Sequence, residues 1–224
     1  VSRFRLKPFV FHDVEQNTDP WFDLRGGRLT SSKLGVIMAN YGKAFGEPAK
    51  KYAVTIAVEQ ITGQAISSTY TNAHMERGHI QEPLARMAYE ESTFCEVTNG
   101  GFFDLGFVGC SPDGLVDDDG VIEIKSVIDN VHYANVFRAN VDPAYKWQCI
   151  GNLKFTKRSW LDFISYCDTY PTGRKIFTYR LHAECYKKEF NMISSRIREF
   201  YDLVEETKRN IQIKNYQLME KARA

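Results

Sequence analysis

The chain of 224 residues is long enough for one well-packed domain, and no Pro/Gly/Ser-rich or highly charged linker divides it, so a single domain over 1–224 is expected. Lys and Arg number 29 against 28 Asp and Glu, which excludes a globally basic protein, so any contact with nucleic acid must come from local placement of charge. The five cysteines are odd in number and lack a CxxC pair or Cys/His ligand spacing, which excludes a disulfide framework or zinc finger, and no apolar run approaches the about 18 residues of a membrane span. Buried reduced thiols in a soluble, cytoplasmic protein are expected, since Val1 to Phe11 also lacks the continuous apolar core of a signal peptide.

After a short arm, Asp19, Pro20 and Trp21 open a helix through Leu24 and Arg25, and Gly26 and Gly27 break it. Thr30, Ser31 and Ser32 supply an N-cap for a helix with Leu34, Ile37 and Met38 on its apolar face. Hydroxyls at a helix start near Arg25 suit a phosphate. The same residues also read as a plain cap with Arg25 paired to an acid, and the spacing alone favours that plainer reading. A loop at 41–48 containing Gly42, Lys43, Gly46 and Pro48 precedes a helix over 50–61 that ends at Thr62 and Gly63.

The spacing of Ile80, Leu84, Met87 and Ala88 predicts an amphipathic helix over 75–92 with those residues inward, Gly78 allowing close approach and Pro83 early in it. Glu82 falls off that stripe, where an isolated helical glutamate is ordinarily solvated. Strands are expected at 94–98, 101–103, 107–110 and 121–127, then a helix over 144–153 carrying Gln148, and strands at 160–167 and 175–182. A final helix over 187–215 places Phe190, Ile193, Ile197, Phe200, Leu203 and Val204 on one stripe, read as core. Helices around a central mixed β-sheet give the α/β (α+β) class.

The stretch from Gly109 to Lys125 holds most of the chemistry. Val121 to Lys125 alternates, so Ile122 and Ile124 share one face of a strand while Glu123 and Lys125 share the other. Asp119 and Gly120 signal a tight turn that folds Gly114 to Val116 back onto Val121 to Ile124 and brings Asp113 within reach of Glu123. Two carboxylates and the Ile124 carbonyl offer the all-oxygen donors that hard divalent cations choose, with a lysine beside them to orient water or neutralise charge. An ordinary turn beside a solvated cross-strand pair explains the triplet equally well when it is taken alone. A calcium-binding EF-hand loop is excluded, because its first and twelfth positions fall on Leu115 and Ser126.

Taken in order, Glu82 on a helix, the Ser111, Pro112, Asp113, Gly114 run, the Glu123, Ile124, Lys125 run and Gln148 on the next helix resemble the PD-(D/E)XK, restriction-endonuclease-like nuclease core. More closely, they resemble the phage lambda exonuclease family of viral recombination nucleases. Trp21 to Arg25, Leu29 to Ser32 and Tyr145 to Gln148 extend the likeness over most of 19–165.

The resemblance implies that Asp113 and Glu123 hold metal with the Ile124 carbonyl, that Glu82 does so through water, and that Lys125 holds the attacking water with Gln148 orienting Lys125. It implies Mg2+, with Mn2+ able to substitute and two ions per site. It places Arg25, Thr30, Ser32 and Ser111 in a pocket for the DNA 5′-phosphate, Met75 as an apolar wedge, and Lys43 as an approximate match to a further phosphate contact. The family's arginine after the Glu-x-Lys strand is missing from Ser126 to His132, and Arg138 is the candidate replacement.

The implied activity is 5′ to 3′ exonuclease digestion of linear double-stranded DNA, releasing 5′-mononucleotides and leaving a 3′ single strand for recombination. A homotrimer ring and a single-strand annealing recombinase as partner are implied with it. The alternatives are a restriction or repair endonuclease on the same core, or a catalytically inactive DNA-binding module. The joint presence of Glu82, Asp113, Glu123 and Lys125 argues against the inactive module.

Overall fold

The computed structural model describes residues 4–66 and 73–221. In chain order these form β1 (Val10–His12), α1 (Asp19–Arg25), β2 (Leu29–Thr30), a 3-10 turn (Ser31–Lys33), α2 (Leu34–Met38), α3 (Glu47–Thr62) and α4 (Ala73–Thr93). Then come β3 (Val97–Thr98), β4 (Phe102–Asp104), β5 (Val108–Cys110), β6 (Gly114–Val116), β7 (Gly120–Ser126), α5 (Asp129–Arg138) and α6 (Lys146–Thr156). The chain continues through β8 (Trp160–Tyr166), β9 (Ile176–His182), a second 3-10 turn (Ala183–Tyr186) and α7 (Lys187–Lys221). The mixed α/β class expected from the sequence is observed, with the described strands divided between two mixed sheets, β1-β4-β5-β2 and β3-β6-β7-β8-β9.

β7 is flanked by antiparallel β6 and parallel β8, and helices α5 and α6 make the crossover that a parallel pair requires. Covered on both faces, its first five residues are all buried, yet the alternation still sorts them. Ile122 and Ile124 pack with Ala85 and Tyr89 of α4 and with Ile164 and Tyr166, whereas Val121 packs into the larger core with Cys149, Leu153, Leu161 and Phe163. Glu123 shares the Val121 face and therefore points towards α6.

The β6–β7 hairpin has the expected register, Gly114 opposite Ile122 and Val116 opposite Gly120. Its turn is Asp117 to Asp119, with Asp117 at φ 46°, and Gly120 is already the first residue of β7. Gly120 is required by close approach instead: a Cβ there would lie 2.1 Å from the Trp160 ring. The turn therefore lies before the expected Asp119-Gly120 pair, with its left-handed residue at Asp117.

The buried stripe expected on α4 is reversed. Ile80, Leu84 and Met87 are exposed at 72%, 45% and 56%, and the face on the sheet is Ala85 and Tyr89. A periodicity of 3.6 identifies a face but not which face meets a partner, and here a small residue permits contact while the Tyr89 hydroxyl donates to buried Asp162 at 2.7 Å. Glu82, three residues before Ala85, is carried inward by the same rotation.

Residues 129–138, for which no element is expected from the sequence, form α5, and the N-terminal arm contributes β1 to the smaller sheet. The helix expected after Ser32 is only Leu34–Met38, preceded by the 3-10 turn, and neither Thr30 nor Ser32 makes a side-chain cap. The α7 stripe packs as expected, with Ile193, Ile197, Phe200 and Val204 fully buried. Arg196, also buried, donates to the carbonyls of Ile37 at 2.7 Å and Lys43 at 3.0 Å, fastening α7 to α2 and the turn after it. Of the cysteines, Cys110, Cys149 and Cys167 are buried as expected, whereas Cys95 is half-buried and Cys185 exposed. No described helix is long and apolar enough to cross a membrane.

Candidate active site

Asp113 leaves the chain just before β6, where its N–H donates to the Ile122 carbonyl at 3.1 Å and its Oδ2 accepts the Ile124 N–H at 2.6 Å. The carboxylate is thus fastened to the backbone of β7, beside Glu123. Glu123 is fully buried. Its Oε1 accepts hydrogen bonds from Lys125 Nζ and Gln148 Nε2, and its Oε2 accepts Asn152 Nδ2 at 2.7 Å. Gln148 therefore reaches the oxygen that Lys125 also uses, and meets Lys125 through Glu123. The Lys125 ammonium lies 5.1 Å from the Tyr145 ring centroid, an aromatic wall for the cation.

Asp113, Glu82, Ile124, Lys125 and Tyr145 line a cleft of about 440 Å³, with Arg77, Asn17 and the start of α5 completing its walls. Asn17, Glu82 and Asp113 also line an adjacent cavity of about 680 Å³ bounded by Asp13, Glu15, Arg86 and Asn99. The carboxylates thus stand where the two spaces meet.

Their electrostatics are dominated by burial. Burial, then the charge of Asp113, pushes both Glu82 and Glu123 up to about 7, and burial raises Asp113 despite Lys125 and the Ile124 amide. Burial works to lower the Lys125 pKa, but the charges of Glu123 and Asp113 outweigh it and hold the ammonium above its usual value. Three carboxylates thus interact around one ammonium, with the Arg86 charge also acting on Glu82, and the side chains able to ligate an ion there offer oxygen. That donor chemistry fits a hard divalent cation. Among the described residues no three His, Cys, Asp or Glu side chains converge tightly enough to make a ready cage, because Glu123 is drawn towards α6. Asp113, Ile124 and Glu82 line the cleft, whereas Glu123 is fully buried and is not part of its lining.

A second cluster adjoins it. Arg25 Nη1 donates to Ser111 Oγ at 3.5 Å and Nη2 to Ser32 Oγ at 3.4 Å, Thr30 Oγ1 lies 3.1 Å from Ser32 Oγ, and Trp21 Nε1 donates to Ser111 Oγ at 2.8 Å. The guanidinium stacks 4.1 Å over the Trp21 ring. Burial lowers the Arg25 pKa, and among the described ion pairs none involves Arg25, so the plainer reading of an arginine paired to an acid does not hold. The helix-terminus part of the phosphate expectation also fails, since α2 is only five residues long and starts after Lys33; the hydroxyls and guanidinium remain. The two clusters are held together by α6. Gly151 lets it approach so closely that a Cβ there would meet Leu34 at 2.3 Å and Ser31 at 3.3 Å.

The remaining expected contacts lie elsewhere. Lys43 is exposed in the turn after α2 and takes no part in the Arg25 hydrogen bonds. Arg138 ends α5 with its Nη1 2.7 Å from Asn135 Oδ1 and 3.9 Å from Asp142, outside the cleft lining, so the structure does not bring it to the site. Arg77 is the arginine that lines the cleft. The Met75 side chain lies outside the described residues. Asn152, Trp21, Tyr145 and Arg77 had not been given roles from the sequence. The spacing of Asn152, four residues after Gln148, was the one signal that could have found it.

A hairpin carrying Asp, Glu and Lys, covered by one helix with a glutamate and another with a glutamine, defines the nuclease core of the PD-(D/E)XK class. Residues 20–159 match the YqaJ-like viral recombinase domain, and the chain belongs to that family. Among solved structures it is similar to an alkaline exonuclease (LHK-Exo) from Laribacter hongkongensis, with 30% identity and a TM-score of 0.72 over 87% of this chain and 98% of that one. The same enzyme in complex with dAMP gives 32% identity and a TM-score of 0.73 over the same shares. A phage related exonuclease from Haemophilus somnus 129PT shares the fold at 14% identity, with a TM-score of 0.66 over 82% of this chain and 96% of that one. No curated protein sequence matches the chain.

Proposed function

We propose that the protein is a metal-dependent 5′ to 3′ exonuclease on linear double-stranded DNA, releasing 5′-mononucleotides and leaving a 3′ single strand for recombination. Family membership and the exonuclease relatives support the coarser statement, a phage-type exonuclease. The observation that carries the finer one is the Arg25 cluster: a guanidinium without a described acidic partner is flanked by Ser32 and by Ser111, and Ser111 stands two residues along the chain from Asp113. Such a cluster receives an anionic oxygen group, and a terminal phosphate held there sets which phosphodiester reaches the carboxylates.

Asp113, Glu123 and the Ile124 carbonyl would hold Mg2+, or Mn2+ in its place, with Glu82 contributing through water; two ions per site remain the proposal. The bound ion would supply Lewis-acid polarisation of the phosphodiester and a lowered pKa for water. The residues of the chain do the rest. Lys125 donates hydrogen bonds that orient the attacking water, Glu123 and Gln148 fix the position of that ammonium, and Glu82 accepts from water in the cleft. Tyr145 and the start of α5 form part of the cleft wall.

A homotrimer ring and a single-strand annealing recombinase as partner belong to the same proposal, as does a bacterial cytoplasmic location. The exposed row Ile80, Leu84 and Met87 on α4 supports a contact with another copy, since apolar rows of this kind are ordinarily covered. Sedimentation at working concentration tests it, a monomer counting against the ring.

The activity is tested with linear and covalently closed circular duplex, each with Mg2+ or with a chelator. Digestion of the linear form alone, and only with metal, is expected. Nicking of the circle would favour the endonuclease alternative.

A further inference from the structure

Two parts of the Arg25 cluster, Trp21 with Arg25 on α1 and Thr30 with Ser32 at the end of β2, are joined by the turn Gly26 to Arg28. The bonds Arg25 makes across the cluster are long, 3.5 Å to Ser111 and 3.4 Å to Ser32, near the limit at which a hydrogen bond still directs its partners. The spacing of guanidinium and hydroxyls therefore comes largely from the backbone that carries them. That backbone is held from α3.

Tyr52, Glu59 and Gln60 share one face of α3 and meet the turn in succession. Glu59 Oε2 accepts the Gly27 N–H at 2.8 Å, and Gln60 Nε2 donates to the Gly27 carbonyl at 2.7 Å. The Tyr52 hydroxyl donates to the Arg28 carbonyl at 3.1 Å, accepts the Thr30 N–H at 3.4 Å, and lies near enough to interact with the Arg25 charge. The turn has little slack. Gly27 is left-handed at φ 69°, where a Cβ would lie 3.0 Å from Gln60 Cγ, and a Cβ on Gly26 would lie 2.9 Å from that of Ala65. Glu59 Oε1 also accepts the Ile66 N–H at 2.9 Å, so both oxygens of this half-buried carboxylate are engaged by backbone.

We infer that Glu59 is a positioning residue for recognition of the DNA 5′ end: through the Gly27 amide it fixes the turn that sets Arg25 against Thr30 and Ser32. Gln60 acts on the same residue from its carbonyl side. The bond from Glu59 is the stronger of the two, because an ionised acceptor roughly doubles a hydrogen bond. This inference rests on the reading of the Arg25 cluster as a phosphate pocket.

The test is the rate of digestion of duplex with a 5′-phosphate divided by the rate with a 5′-hydroxyl, measured with Mg2+ for wild type, Glu59→Ala and Gln60→Ala. Each is also combined with Arg25→Ala, and thermal melting is followed for all. Loss of one such hydrogen bond should lower the ratio by about 3- to 10-fold, with the larger loss in Glu59→Ala. In the Arg25→Ala background neither change should lower the ratio further, since the side chain through which both act is gone. A clamp that served only the fold would lower melting temperature and both rates together, leaving the ratio at its wild-type value.

A wild-type ratio in Glu59→Ala, or a loss that multiplies in full with that of Arg25→Ala, would overturn the inference. Should Glu59→Ala not fold, the same two outcomes in Gln60→Ala decide. Failure of both variants to fold would also overturn it, since the clamp would then be a requirement of the fold. Wild type that digests both ends at one rate, or neither end, would instead overturn the phosphate-pocket reading beneath it.

Discussion

The Asp113 carboxylate accepts the backbone N–H of Ile124 at 2.6 Å, so one oxygen of the loop before β6 is tied to the strand that carries Glu123 and Lys125. That single bond converts a turn aspartate into a fixed partner of the β7 carboxylate. Asp113→Ala should abolish cleavage, by at least about 100-fold in kcat/KM, through loss of a metal ligand. Binding of duplex DNA in the presence of a chelator should persist, and a gel-shift assay beside a digestion assay measures both. Digestion near the wild-type rate would remove Asp113 from the site.

Arg25→Ala should slow digestion of 5′-phosphorylated duplex by about 10- to 100-fold, the effect of losing a charge-assisted hydrogen bond of about 1.5–3 kcal/mol. Duplex with a 5′-hydroxyl should be affected far less. Arg25→Lys should recover little, because an ammonium cannot address Ser32, Ser111 and a phosphate with one planar fork. Equal losses on both substrates, in a variant with unchanged melting, would make Arg25 a structural residue.

Burial first, and the Asp113 charge second, holds Glu82 and Glu123 at about 7 in the metal-free protein, above the usual carboxylate range. A raised carboxylate pKa means that the folded state binds protons more tightly than the unfolded one. The associated stability is complete below about pH 4.5 and is lost as pH rises through about 7. Melting temperature of the metal-free protein should therefore fall between about pH 5 and pH 8, Mg2+ should restore it at the upper end, and Mg2+ affinity should weaken as pH drops below about 7. Glu82→Gln should flatten the melting profile. A profile in Glu82→Gln as steep as in wild type would show that Glu82 does not contribute.

In the β6–β7 hairpin, Asp117 at φ 46° carries the turn and Gly120 lies 2.1 Å from Trp160 if given a Cβ. Asp117→Gly should be neutral or slightly stabilising, because glycine removes the steric cost of that conformation. Gly120→Ala should cost about 1–3 kcal/mol by overpacking against the ring. Urea melts of the two variants decide, and the opposite order would return the turn to Gly120.

These positions also mark what a sequence can and cannot show. The alternation of Ile122 to Lys125 gave the faces of β7 correctly, because strand periodicity and local hairpin pairing are properties of adjacent residues. The inward face of α4 was not legible: Ile80, Leu84 and Met87 form a good apolar stripe, and only the tertiary contact of Tyr89 with Asp162 turns the helix the other way. Glu82 was accordingly found through the resemblance to known nucleases, not through its helix. Arg25, Ser32 and Ser111 were named together, although the helix start meant to support them proved too short. Asn152 was missed since its contact with Glu123 depends on α6 crossing behind β7, a packing distance that no local pattern encodes.

The account makes a terminal 5′-phosphate, held at Arg25, the ruler that brings the first phosphodiester to Asp113 and Glu123. The most direct test follows linear duplex labelled separately at its 5′ and 3′ ends during digestion with Mg2+. Early release of the 5′ label as mononucleotide, with the 3′ label retained in long single strands, is the predicted result. Early release of the 3′ label, or of both labels in fragments, would contradict it.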